Sequence, residues 1–112
     1  MKNVYLAQMS LEIPGSNYYY FPYSIGVVWA YATTQPGINE NYHLRNIFSV
    51  KEPIDQIMEK IVDPDVLGLS TYTWNTNYNE ELAKRVKERY PDCKIIIVHL
   101  LHYCNILLAT VS

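Results

Sequence analysis

Val66-Leu67-Gly68-Leu69-Ser70-Thr71-Tyr72-Thr73-Trp74-Asn75 is the stretch on which the reading of this chain turns. Val66 to Leu69 is a short apolar run set off by Asp63-Pro64-Asp65, with the length and character of a strand covered on both faces. Ser70 to Asn75 then gathers hydroxyls, an indole and an amide where that strand ends, ahead of an amphipathic helix. In open α/β sheets the carboxyl ends of the strands face the ligand crevice, so these residues are expected at a binding edge. The plainer reading is a polar loop capping the next helix, and on fold alone that is the commoner role.

Downstream, Asn79 is expected to cap a helix that runs to Tyr90 and buries Leu82, Ala83 and Val86. Glu80 and Glu81 sit at its positive end, and Lys87 and Arg89 sit near its negative end. Pro91-Asp92 closes it, and Lys94-Ile95-Ile96-Ile97-Val98, the most β-branched run, reads as a strand of the sheet interior. Upstream, Pro53 suits a first helical position, and Ile54, Ile57, Met58, Ile61 and Val62 form one apolar stripe that Pro64 stops. Tyr42, Leu44, Ile47, Phe48 and Val50 alternate with polar residues as an edge strand does.

Tyr23 to Gln35 is apolar around most of its circumference and predicts a buried helix, with Pro22 before it and Pro36-Gly37 ending it. Gly26 lies inside that helix at a cost of about 1 kcal/mol relative to alanine, unless a close backbone contact or a ligand needs the space. Val4-Tyr5-Leu6-Ala7 is the first strand, expected near the centre of the sheet. Ser10 to Pro22 is a long loop; its Tyr18, Tyr19 and Tyr20 fit a cover over the core edge better than a platform for a planar ligand. The order β-α-β-α-β-α-β predicts an α/β fold with a parallel sheet and right-handed crossovers.

The 112 residues, 49% hydrophobic, allow one domain with a modest core. A net charge of -2 with 18% charged residues gives no basic footprint for nucleic acid or anionic lipid. No apolar run reaches membrane-spanning length and the N-terminus lacks a signal-peptide layout, so no membrane partner and a cytoplasmic location are expected. Cys93 and Cys104 are the only thiols, and their spacing fits neither a disulfide framework nor a zinc ribbon. His99, His102 and Cys104 lack a fourth ligand fixed by spacing, so no metal site is assigned. Glu12 stands alone after the first strand, and neither a glycine-rich phosphate loop nor a paired acid and base occurs, so no catalytic residue is assigned.

Three segments carry a resemblance: YFPYSIGVVWAYA (Tyr20 to Ala32), DPDVLGLSTYTWN (Asp63 to Asn75) and YPDCKIIIV (Tyr90 to Val98). Together they resemble the N-terminal cobalamin-binding domain of cobalamin-dependent radical S-adenosylmethionine (SAM) enzymes. The resemblance implies a Rossmann-like (flavodoxin-like) three-layer parallel sheet over residues 1–98, incomplete at the C-terminus, followed by a divergent apolar tail, 99–112. It implies cobalamin as ligand, held at the carboxyl edge of the strands with its nucleotide tail threaded into the sheet. The implied contacts are Ser10, Gly15, Tyr23, Ser24, Ser70, Thr71, Tyr72, Trp74 and Asn75, with Ser70 close to the tail.

Departures qualify what carries over. The Asp-x-His-x-x-Gly loop that supplies a cobalt ligand in many such modules is replaced by Met9 to Gly15 without histidine, which weakens cobalt ligation rather than cobalamin binding. The family's Gly-Gly pair after the fourth strand is replaced by His99-Leu100-Leu101-His102. No Cys-x-x-x-Cys-x-x-Cys loop exists to hold an iron-sulfur cluster, so radical chemistry requires a separate radical SAM catalytic domain as partner. A degenerate fragment or interaction domain with no tight ligand is the alternative, and a small Rossmann-type enzyme is the weakest reading.

Overall fold

A computed structural model of the chain describes residues 2–9, 23–71, 75–100 and 107–111. These form β1 (Lys2–Ala7), α1 (Tyr23–Ala32), α2 (Ile38–Asn41), β2 (Tyr42–Phe48), α3 (Ile54–Lys60), β3 (Val66–Thr71), α4 (Thr76–Arg89), β4 (Lys94–Leu100) and β5 (Leu107–Val111). The strands make one sheet in the order β2-β1-β3-β4-β5. The first four are mutually parallel, while β5 runs antiparallel to β4. The 2-1-3-4 order is that of a flavodoxin-like, Rossmann-type α/β sheet.

Alternation along the strands sends side chains to two layers. Tyr5, Ala7, Leu67, Leu69, Ile95 and Ile97 face α3 and α4, where they pack with Ile57, Met58, Ile61, Leu82 and Val86 into the main core. Val4, Leu6 and Val66 face the other way and pack with Trp29 of α1 and with Tyr42, Leu44 and Ile47 of β2. Gly68 lies on this second face. A Cβ there would come within 2.7 Å of Leu6 Cδ2, so the missing side chain lets the β1 leucine lie across the central strand.

Polar contacts fix the amino edge. Asn3 N donates to Asp65 Oδ2 at 2.7 Å and Asn3 Nδ2 to the Asp63 carbonyl at 3.0 Å, tying β1 to the turn before β3. Tyr5 Oη donates to the Val62 carbonyl and accepts from Val62 N, both at 3.1 Å, which anchors the chain leaving α3 on β1. The Tyr5 ring also stacks on Phe48 of β2, 6.2 Å between centroids.

The sequence expectation of a central β1 and an edge β2 agrees with this order, and β4 lies inside it with partners on both sides. Several boundaries differ. The first long helix stops at Ala32 rather than Gln35, and Gly37, at φ 87°, precedes the short α2, which carries no core residue and so no periodic signal. Val62 was expected on the buried stripe but is 53% exposed, because Ile61 turns to an extended conformation and ends α3 after Lys60. Val50 lies beyond β2 and is exposed. Within the tail, Leu107–Val111 adds an edge strand, which local pattern did not reveal because strand pairing supplied its signal.

Two measurements check this layering. Leu82→Ala, which empties a fully buried site between α4 and the sheet, is expected to cost about 2–5 kcal/mol in denaturant unfolding, against about 0.5 kcal/mol or less for Val62→Ala. The Tyr78 phenol donates to the Glu52 carbonyl, and burial, helped by the Glu52 charge, pushes its pKa up to about 12. Between pH 10 and 12 the unfolded chain loses this proton while the folded chain keeps it, so the associated stability is full below pH 10 and declines above it. The stability difference between the wild type and Tyr78→Phe should therefore narrow as pH rises through that window.

Candidate binding edge

Parallel pairing brings the carboxyl ends of β1 to β4 to one side of the sheet. In the centre, Leu69 pairs with Ala7 and Ile97, Ser70 with Val98, and Thr71 with His99. The β1–β3 ladder ends at the Ala7–Leu69 pair, one residue before Ser70. A buried carbonyl in that position needs a partner from elsewhere.

Two asparagine amides supply it. Asn75 Nδ2 donates to the Ser70 carbonyl at 3.0 Å and to the Met9 carbonyl at 3.4 Å, so it also holds the chain leaving β1. Asn79 Nδ2 reaches the Ser70 carbonyl and Thr71 Oγ1, each at 3.2 Å, and Asn75 Oδ1 at 3.4 Å. Ser70, Asn75 and Asn79 are all buried, at most 3% exposed. The bracket orders the end of β3, the start of α4 and the exit of β1 relative to one another. It also corrects the expected cap. The helix begins at Thr76 with Asn75 at the N-cap position, Asn79 lies one turn inside, and neither amide makes a side-chain cap there.

Two buried polar atoms have no hydrogen-bond partner among the described residues: Ser70 Oγ and Asn79 Oδ1. An orphaned buried group of this kind costs about 1–3 kcal/mol, and each such group asks for an explanation. They lie on opposite faces of β3. Thr71, and with it Asn79, belongs to the α4 side, whereas Ser70 follows Val66 and Gly68 on the α1 side.

The structure thus brings together Ser70, Thr71 and Asn75 of the expected contacts. Tyr23 and Ser24 open α1, on the crossover that leaves the same edge, and their side chains lie outside the described set. Ser10, Gly15, Tyr72 and Trp74 lie outside the described residues. Asn79 was missed as a member of the site. Its signal was the spacing Asn75-x-x-x-Asn79, which puts two amides on one side of a helical turn.

Other features lie elsewhere. Depressions of about 300 Å³, beside Asp63, Arg89 and Asp92, and about 340 Å³, beside Lys2, Tyr42 and Lys94, sit at the amino edge. Their linings hold no orphaned buried group, and ligands of open parallel sheets sit at the opposite edge. Cys93 is buried at that amino edge, where desolvation pushes its thiol pKa up. Among the described residues no group of three or more His, Cys, Asp or Glu side chains is placed to hold a metal ion, and no helix is long and apolar enough to cross a membrane.

An α/β sheet of flavodoxin-like order with a polar, partly unsatisfied carboxyl edge defines the structural class. No protein-family model matches the chain. Over 81 residues, 72% of this chain, it is 33% identical to the cobalamin-dependent radical SAM methyltransferase TokK of Streptomyces tokunonensis. Over 77 residues, 69% of the chain, it is 30% identical to the 2-(S-pantetheinyl)-carbapenam-3-carboxylate methyltransferase of Streptantibioticus cattleyicolor. The chain spans only 12% and 11% of the lengths of these relatives. It is therefore similar to one small portion of each.

The bracket can be tested directly. Asn79→Ala leaves the Ser70 carbonyl with one amide and Thr71 Oγ1 without this donor, and should cost about 1–3 kcal/mol in chemical denaturation. Asn77→Ala, an exposed site two residues earlier, should change stability by about 0.5 kcal/mol or less.

Proposed function

We propose that this chain is a cobalamin-holding module that places the cofactor at the carboxyl edge of β1, β3 and β4 and performs no chemistry alone. The observation that carries the reading is the hydroxyl of Ser70, fully buried and without a hydrogen-bond partner among the described residues, at the end of the central strand. A ligand group arriving at that edge would supply what the fold leaves unmet. The similarity to a cobalamin-dependent radical SAM methyltransferase over 72% of the chain supports cobalamin as that ligand.

The roles of the residues divide. Ser70 makes the direct contact, while Asn75 and Asn79, whose amides hold the Ser70 carbonyl, fix the strand end that presents it. Ser10, Gly15, Tyr23, Ser24, Thr71, Tyr72 and Trp74 complete the proposed surround. Cobalamin, when bound, supplies a cobalt centre able to carry a methyl group. The chain's own part is to bind and orient the corrin, and the chemistry belongs to a radical SAM catalytic domain, because a chain with two cysteines lacks the thiols for that cluster.

A second reading, a fragment that keeps the fold but binds nothing tightly, draws on one observation. His99 and Leu100 continue β4 and pair with Leu108 and Leu107 of β5, where the resembled family has a glycine pair. Incubation with hydroxocobalamin followed by desalting and a visible spectrum separates the two. Retained pigment is expected for the wild type, weakly, and Ser70→Leu should reduce it further. Complete loss of pigment from the wild type favours the fragment, and equal retention by Ser70→Leu refutes the placement at Ser70.

A further inference from the structure

We propose that Tyr78 is a positioning residue for the carboxyl edge: its phenol holds the β2–α3 loop to the same turn of α4 that holds the ends of β1 and β3, so that these three segments open together rather than singly. The inference goes beyond the ligand-holding reading and does not rest on it, because it concerns how the edge of the ligand-free chain moves.

Asn75, Tyr78 and Asn79 stand at i, i+3 and i+4 and so share one side of the first turn of α4. Each gives a side-chain hydrogen to a backbone carbonyl of another segment. Asn75 serves Met9 beyond β1 and Ser70 in β3, Asn79 serves Ser70 again, and Tyr78 serves Glu52 in the loop between β2 and α3. One helical turn thus receives three segments that meet at the carboxyl edge of parallel strands. The Tyr78 ring packs against the main core, which fixes where its hydroxyl can reach.

Further bonds close the circuit. Gln8 N, at the exit of β1, donates to the Phe48 carbonyl at the end of β2 at 2.9 Å. From Phe48 the chain runs through Val50, whose carbonyl accepts from Glu52 N at 2.8 Å, to Glu52 and so back to Tyr78. The Glu52 carboxylate accepts from Lys60 Nζ at 2.7 and 2.8 Å, which fixes the loop to its own helix α3. Movement of the loop away from Tyr78 therefore pulls on Phe48, on Gln8 and on the Met9 carbonyl that Asn75 holds. Bonds linked in a ring of this kind are stronger together than apart.

Native-state hydrogen exchange of the full chain in low denaturant measures the opening. The reporter amides are Glu52 in the loop, Gln8 at the β1 exit and Asn79, which donates to the Asn75 carbonyl at the start of α4. Val86, fully buried inside α4, reports global unfolding. In the wild type the three reporters should share one opening free energy and one denaturant slope, both smaller than those of Val86. Tyr78→Phe, which removes one oxygen and keeps the ring, should speed all three by the same factor, roughly fivefold. Asn75→Ala should speed Glu52 together with Gln8 and Asn79, although the Asn75 bonds to Met9 and Ser70 leave Glu52 aside. Separate slopes in the wild type, acceleration of Glu52 alone in Tyr78→Phe, or an unchanged Glu52 in Asn75→Ala would each overturn the coupling. A shared slope equal to that of Val86 would overturn it too, since the edge would then open only with the whole fold. Hydroxocobalamin added to the wild type separates this inference from the proposed function. Slowing of all three amides together supports both, and slowing of Gln8 or Asn79 without Glu52 overturns the coupling. No slowing counts against cobalamin at this edge, while the ligand-free rates decide the coupling.

Discussion

A strand buried on both faces has backbone groups that must all be paired, and the difficulty falls at its end, where neighbouring strands stop at different levels. β3 is that strand here. Its ladder with β1 ends at the Ala7–Leu69 pair, one residue before Ser70, and side chains from the following helix bond the Ser70 carbonyl. The asparagines that reach it also bind the exit of β1 and Thr71, and one small polar bracket thereby sets how the sheet's carboxyl edge is assembled. It adds polar contacts to the apolar packing of Leu82 and Val86 that already holds α4 against the sheet.

The described residues pack on both faces of the sheet. Towards α3 and α4 the core is continuous, with Ile57, Ile61, Leu67, Leu69, Leu82, Val86 and Ile95 all at most 1% exposed. Towards α1, among the described residues, Val4 and Leu6 are buried, with Trp29, Tyr42, Leu44, Ile47 and Val66 packed against them. On this face, at the end of β3, lies the Ser70 hydroxyl, which has no hydrogen-bond partner among the described residues. Local defects of that kind persist where the rest of the fold holds the backbone in place.

Much of the fold was legible in the residues. The Val/Ile/Leu runs at Val4 to Ala7, Val66 to Leu69 and Lys94 to Val98 gave three interior strands, because a strand covered twice needs apolar side chains on both faces. The stripe from Ile54 to Ile61 gave α3, and proline marked where it could not continue. Short-range signals failed where tertiary pairing decided: α2 buries nothing, Val62 leaves its stripe when the helix stops early, and Leu107–Val111 becomes a strand by pairing with β4. In the candidate site, Ser70, Thr71 and Asn75 stood out as polar residues ending an apolar run, whereas Asn79 passed for a helix cap because nothing local shows that its amide faces inward.

The sequence by itself determined that this is an α/β domain with parallel strands and a polar carboxyl edge, because periodicity and turn residues are local properties of the chain. Only the tertiary structure decided which of those polar groups are consumed within the fold and which are left over. Asn75 is committed to the carbonyls of Ser70 and Met9, five and sixty-six residues away, while the Ser70 hydroxyl beside them has no partner among the described residues. A hydrogen bond between distant segments depends on where the strands end relative to one another, and that relation exists only once the sheet has formed.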